Sequence, residues 1–122
     1  MELIPQVRDG ARQFIERYAA SGFRVSGAIY LGPVLVFPDR TEAWAEAAFT
    51  IGGLAAVLAH GDVELLLLGF GRRVLPVGAE LRGALKARGI AVEPMDTGAA
   101  CRTYNMLVGE DRRVAAALLP PF

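Results

Sequence analysis

Val63-Glu64-Leu65-Leu66-Leu67-Leu68-Gly69-Phe70-Gly71 is the stretch on which the reading of the fold turns. From Val63 to Leu68 it is almost continuously apolar, too short for a stable lone helix and typical of a strand covered on both faces, which implies a parallel sheet. Gly69-Phe70-Gly71 ends it. Downstream, Leu81, Ala84 and Leu85 have helical spacing between Gly78 and Arg88. Glu80 sits in the first turn of that segment, Lys86 and Arg88 in the last, and Gly89 follows as terminator. Ile90-Ala91-Val92 is then the next short strand, so Val63 to Val92 reads as a βαβ unit. Thr97 or Asp96 caps a further helix to about Val108, with Gly109 as its stop, and Val114 to Leu119 supplies a last strand before Pro120-Pro121.

The first half carries weaker signals. Between Phe23 and Leu31, Phe23, Val25, Ile29 and Leu31 alternate with Arg24, Ser26 and Tyr30, the pattern of a half-buried strand. Gly32-Pro33 punctuates, Val34-Leu35-Val36-Phe37 follows, and the two runs are expected to pair as a tight antiparallel hairpin. Asp9 to Tyr18 fits helix through Ala11, Phe14, Ile15 and Tyr18, while Phe14 and Tyr18 fit a strand equally well. Thr41 to Phe49 is open in the same way: Ala43, Trp44, Ala47 and Ala48 form a helical stripe that Gly52-Gly53 interrupts. Leu54 to Ala59 reads as a short helix closed by His60-Gly61.

A length of 122 residues fits one domain over 1–122, and 53% hydrophobic with 21% charged residues places it among packed globular chains. Thirteen basic residues balance thirteen acidic ones, so there is no electrostatic footprint for nucleic acid, and weak net charge favours a homo-oligomer. Cys101 is the sole cysteine, which excludes an internal disulfide and suits a reducing cytoplasm. Met1-Glu2-Leu3-Ile4-Pro5 does not read as a signal peptide, and no apolar run approaches the roughly 20 residues of a spanning helix. The expectation is a soluble, cytoplasmic protein without membrane insertion.

Candidate site residues gather where the parallel strands end, the edge at which open α/β sheets bind ligands. Gly69 and Gly71 would let backbone N–H groups approach a ligand, and Arg72 with Arg73 could hold a carboxylate or phosphate, although a tight turn with two solvated arginines accounts for the same residues. A dinucleotide fingerprint fails, because Val74 stands where Gly-x-Gly-x-x-Gly needs glycine. Met95-Asp96-Thr97-Gly98 opens a helix whose free N–H groups favour anions, although capping alone accounts for Asp96 and Thr97. Arg102 and Asn105 share one helical face with Gly98 and Gly109, opposite a core stripe of Cys101, Tyr104 and Val108. That face is either a recognition surface or a solvated one. Cys101 lies in the apolar stripe and the only histidine, His60, ends another helix, so a thiol nucleophile with a base is not expected. Neither a metal set nor a cofactor motif stands out, and Glu110-Asp111-Arg112-Arg113 reads as a solvated turn with local ion pairs.

Three segments together resemble a known family: Glu64 to Gly71, Gly89-Ile90-Ala91-Val92-Glu93-Pro94-Met95-Asp96-Thr97, and Ala99-Ala100-Cys101-Arg102-Thr103-Tyr104-Asn105-Met106-Leu107. Phe23-Arg24-Val25-Ser26-Gly27 and Gly32-Pro33-Val34-Leu35-Val36 extend the likeness from about Phe14 onward. The family is a small α/β domain of unknown biochemical function whose eukaryotic members include the mitochondrial complex I (NADH dehydrogenase) assembly factor three. The resemblance implies a three-layer α/β domain with a central mixed sheet, helices on its faces and an added β layer from the N-terminal half. It also favours strand for Phe14 to Tyr18 and Ala43 to Ala45, and implies an assembly role without supplying an enzyme activity. Phe70 departs from the commoner Gly-Thr-Gly loop and removes a hydroxyl from it.

Two functions follow as expectations. One is a non-catalytic interaction module with a protein partner, using the Arg102/Asn105 face and adjoining loops. The other is a small anionic-ligand binder or enzyme with Gly69, Gly71, Arg72, Thr97, Arg102 and Asn105 around the anion.

Overall fold

Apolar residues on both sides of a strand require cover on both faces, and Val114–Leu118, every residue of which is buried, has it. The computed structural model describes residues 12–121, and the reading of Met1 to Pro5 lies outside them. Its elements run β1 (Ile15–Ala19), β2 (Gly22–Val25), β3 (Ala28–Leu31), β4 (Val34–Val36), β5 (Thr41–Ala43), α1 (Ala55–His60), β6 (Leu65–Gly69), α2 (Ala79–Ala87), β7 (Ala91–Met95), α3 (Thr97–Gly109) and β8 (Val114–Leu118). The central sheet has the order β5-β4-β8-β6-β7, with β6 parallel to both β7 and β8 and β4 antiparallel to β5 and β8. β1, β2 and β3 form a separate antiparallel sheet. This is the expected layered α/β architecture, with a mixed central sheet and an added β layer.

Strand alternation sorts the core into two halves. Leu67, Val34, Val36, Val114, Ala116 and Leu118 meet α3 through Ala100, Cys101, Tyr104 and Val108, and meet the small sheet through Ile15, Phe23 and Val25. Leu66, Leu68, Leu35, Phe37, Ala115 and Ala117 face the other way, onto Val57 of α1 and Leu81 and Leu85 of α2. Each fully buried leucine contributes about 1.5–3 kcal/mol relative to exposure. Pro94 lies within β7 without breaking a ladder because β7 is the edge strand.

The predicted single strand from Phe23 to Leu31 is in fact a hairpin. Ser26 and Gly27 both have positive φ, 45° and 87°, and turn the chain between Val25 and Ala28. A two-residue turn swaps parity, so Phe23 pairs with Tyr30 while Arg24 pairs with Ile29 and Gly22 with Leu31. The apparent alternation ran straight through the reversal, and Ile29 and Leu31, predicted to share the face of Phe23, are 69% and 79% exposed. The expected pairing of this segment with Val34 to Phe37 does not form either. Gly32, with φ of 88°, and Pro33 carry the chain from the small sheet to the central one, where wholly buried β4 takes two strand neighbours.

Ile15 to Ala19 is a strand, as the resemblance favoured; after Ala43 the chain bends instead of continuing as strand or helix. Trp44 is buried there, its Nε1 donating to the Gly53 carbonyl at 2.7 Å. α1 ends on Gly61, left-handed at φ 85°, as predicted. Gly109, read as the stop of α3, lies inside the helix, and Asp111 takes the left-handed position at φ 63°. The N–H groups of Asp111 and Arg112 then close the helix by donating to the carbonyls of Val108 and Leu107. Arg112 and Arg113 pair with Glu64 and Asp62 across the fold, and Asp111 with Arg12, so the ion pairs of this turn are long-range.

Candidate functional site

Register places three strand ends on one rim: Gly69 aligns with Met95 on one side and with Leu118 on the other. The loops that follow are tied together at Thr97. Its buried hydroxyl accepts the Gly71 N–H at 2.7 Å and donates to the Leu119 carbonyl at 2.6 Å, while its backbone N–H donates to the Gly71 carbonyl at 2.9 Å. Gly71 takes φ of 78°, which glycine adopts without strain. A side chain on Gly69 would stand 2.7 Å from Leu118 Cδ2 and 3.2 Å from the Thr97 Cα, so glycine here lets the start of α3 press onto β6. Gly69, Gly71 and Thr97 therefore come together as predicted, with Thr97 spent on holding the rim.

Beside this bracket lies an open crevice of about 440 Å³ lined by Tyr18, Gly71, Arg72, Asp96, Gly98, Arg102 and Pro121. Arg102 Nη1 donates to the Tyr18 hydroxyl at 3.2 Å, and Gly98 leaves room for both, since a Cβ there would sit 3.1 Å from that hydroxyl. Asp96 caps α3, its carboxylate accepting the Ala99 N–H at 2.9 Å. Exposed Arg72 has no polar partner among the described residues.

Asn105 is placed differently from Arg102. Its amide brackets Ile15, accepting the Ile15 N–H and donating to the Ile15 carbonyl, each at 2.8 Å. In this way it pairs with β1 as a neighbouring strand would and positions Tyr18 over the rim. Tyr18 and Pro121 were missed as lining residues, and Asp96 was read only as part of the loop that opens α3. Only the tertiary docking of β1 on α3 brings Tyr18 there, and no local pattern signals it.

The central sheet separates the two groups considered for nucleophilic chemistry. Cys101 is buried in the half-core on the α3 side, and burial pushes its thiol up to about 12, with Asp96 adding to the rise and Arg102 opposing it. His60 stacks on Phe37 at 4.6 Å in the other half-core. Its Nδ1 accepts the Asp62 N–H at 3.2 Å, which leaves Nε2 to donate to Asp39 at 2.9 Å. This bond is the main cause holding the Asp39 carboxyl below its ordinary range. In the folded protein at pH 8, alkylation of Cys101 by iodoacetamide should run roughly a thousandfold slower than in urea, from the thiolate fraction alone. Equal rates by mass spectrometry would contradict this burial. Among the described residues, no three of His, Cys, Asp and Glu gather as a metal set, and no helix is long and apolar enough to cross a membrane.

Fold and rim together define a small α/β domain with an arginine-bearing crevice at its strand ends. The family described as a protein of unknown function (DUF498/DUF598) matches residues 15–119, and this chain belongs to it. A similar curated protein is the NADH dehydrogenase (ubiquinone) 1 alpha subcomplex assembly factor 3 of Danio rerio, 38% identical over 97% of this chain and 70% of its own length. An uncharacterized protein of Rhodobacter capsulatus is 39% identical over 87% of this chain and 83% of its own. Among solved structures, one described as an outer membrane protein from Bartonella henselae superposes with a TM-score of 0.83 at 33% identity, covering 93% of this chain and 98% of that one.

Proposed function

We propose that this chain is a non-catalytic, cytoplasmic, self-associating module of the assembly type, which recognises an anionic group on a partner protein at the Arg72/Arg102 crevice. Its relatives named as complex I assembly factors support this reading. One contrast within the site carries it. The Cys101 thiol, Thr97 hydroxyl, Asn105 amide and His60 imidazole are bonded or buried within the fold, while Arg72 and Arg102, the latter bonded to the Tyr18 hydroxyl, line open space. Such a surface is suited to binding and orienting an anion, and its one carboxylate, Asp96, is engaged in capping α3. Capture of partners from the native host by the tagged chain should be lost in Arg72→Glu/Arg102→Glu, with the circular dichroism of the variant unchanged. Identical partner sets for both proteins would overturn the proposal, and a strictly monomeric sedimentation profile would remove self-association from it.

A small anionic ligand is the second reading, favoured by the crevice volume of about 440 Å³, which falls within the common range for such sites. The Asp96 carboxylate in the lining repels an anion in either reading and does not choose between them. Thermal shifts with inorganic phosphate, nucleotides and citrate separate the two: saturation at 100 times Kd stabilises by about 2.7 kcal/mol. A rise abolished by Arg72→Glu would support the ligand reading.

A further inference from the structure

The outer face of the β1–β3 sheet is built from the residues that pair across it. Arg17 lies opposite Arg24, Arg24 opposite Ile29, Ala19 opposite Gly22, and Gly22 opposite Leu31. Phe23 and Val25 point inward, so Arg24 and its partners point out. The result is an open groove of about 480 Å³ with a small-residue floor at Ala19 and Gly22, Ile29 and Leu31 on one side and two arginines on the other.

Two features of this face work against the isolated fold. Ile29 and Leu31 stand 69% and 79% exposed on β3, an edge strand with no charged residue to protect it. Like charges directly opposite each other on a sheet are destabilising, yet Arg17 and Arg24 are so placed. Glu16 neutralises only Arg24, at 3.0 Å, and Arg17 has no acidic partner among the described residues. An apolar strip beside an uncompensated cation has a definite complement: apolar side chains followed by a carboxylate.

We propose that the outer face of the β1–β3 sheet docks a short segment of a partner protein whose apolar side chains cover Ile29 and Leu31 and whose carboxylate lies between Arg17 and Arg24. The occupant's being a protein rests on the assembly-type reading; the crevice at the strand ends takes no part in it. Tyr18 borders both surfaces.

The test uses the full 15N-labelled chain and two synthetic peptides, one alternating valine with glutamate and the other valine with lysine. The glutamate peptide should shift amide resonances within residues 17–31, and the lysine peptide should not. Arg17→Glu should weaken the glutamate peptide at least tenfold while raising Tm, because it replaces a like-charge opposition by an ion pair with Arg24. A merely structural Arg17 would not combine those two effects. Leu31→Ser should weaken binding with Tm nearly unchanged. Equal shifts with both peptides, or none at millimolar concentration, would overturn the proposal. So would line broadening at Ile29 and Leu31 that grows with protein concentration alone, which would make a second copy the occupant. Shifts confined to Gly71 and Arg102 would overturn it too and leave the crevice reading standing. Conversely, partner sets unaffected by Arg72→Glu/Arg102→Glu would end the crevice reading and leave this face intact.

Discussion

Thr97→Val will lower stability by roughly 2–4 kcal/mol, because the Gly71 N–H loses a buried partner and the Leu119 carbonyl a part-buried one, and an orphaned buried group costs about 1–3 kcal/mol. Thr97→Ser keeps the hydroxyl and deletes one methyl, so its cost should stay near about 0.8 kcal/mol. The contrast separates hydrogen bonding from packing. Urea denaturation of both variants is the measurement, and a valine variant as stable as the serine one would show that the hydroxyl does not hold the rim. Since Thr97 ties three loops that flank the crevice, the valine variant should also broaden the amide resonances of Gly71 and Leu119.

Gly22→Ala will be more damaging still. Gly22 sits at φ 151°, which side-chain-bearing residues rarely adopt, and a Cβ there would lie 2.0 Å from the Tyr30 carbonyl oxygen. That oxygen belongs to the adjoining strand backbone and cannot swing aside as a side-chain tip could. Overpacking costs about 1–3 kcal/mol and backbone strain about as much again, so a loss of roughly 3 kcal/mol or more is expected. For a chain of this length that is a fall in Tm of roughly 10 °C or more by calorimetry. A fall under about 3 °C would mean that the small sheet yields locally and is not rigidly coupled to the core.

The parts of the fold that the sequence made legible are those where local signals agree with tertiary placement. Leu65 to Leu68 and the stripe of Leu81 and Leu85 each carry one message, and the start of α3 was narrowed to Asp96 or Thr97, of which Asp96 is the cap. The first half was harder because its signals are parity and turn chemistry. Ser26-Gly27 reverses the chain without interrupting the count of alternating apolar residues, so the hairpin read as one strand. Within the site, the rim followed from the parallel reading, and Gly69, Gly71, Arg72 and Arg102 fall at or beside it. Thr97 and Asn105 are near it as well, but what their polar atoms touch depends on β8 and β1, far off in the chain. Spacing within one helix holds no information about such partners.

The strand order β5-β4-β8-β6-β7 has a consequence for how the chain is made. The middle position belongs to β8, which is synthesised after the other seven strands of the described residues. Until it inserts, β4 with β5 and β6 with β7 are two unjoined ribbons with their apolar flanks open to water, and the closing contacts span long stretches of sequence. Such pairing is slow and exposes sticky intermediates. Biosynthesis should thus leave the nascent chain dependent on chaperone cover until Val114–Leu118 emerges, and the rim at the strand ends is completed only when β8 inserts.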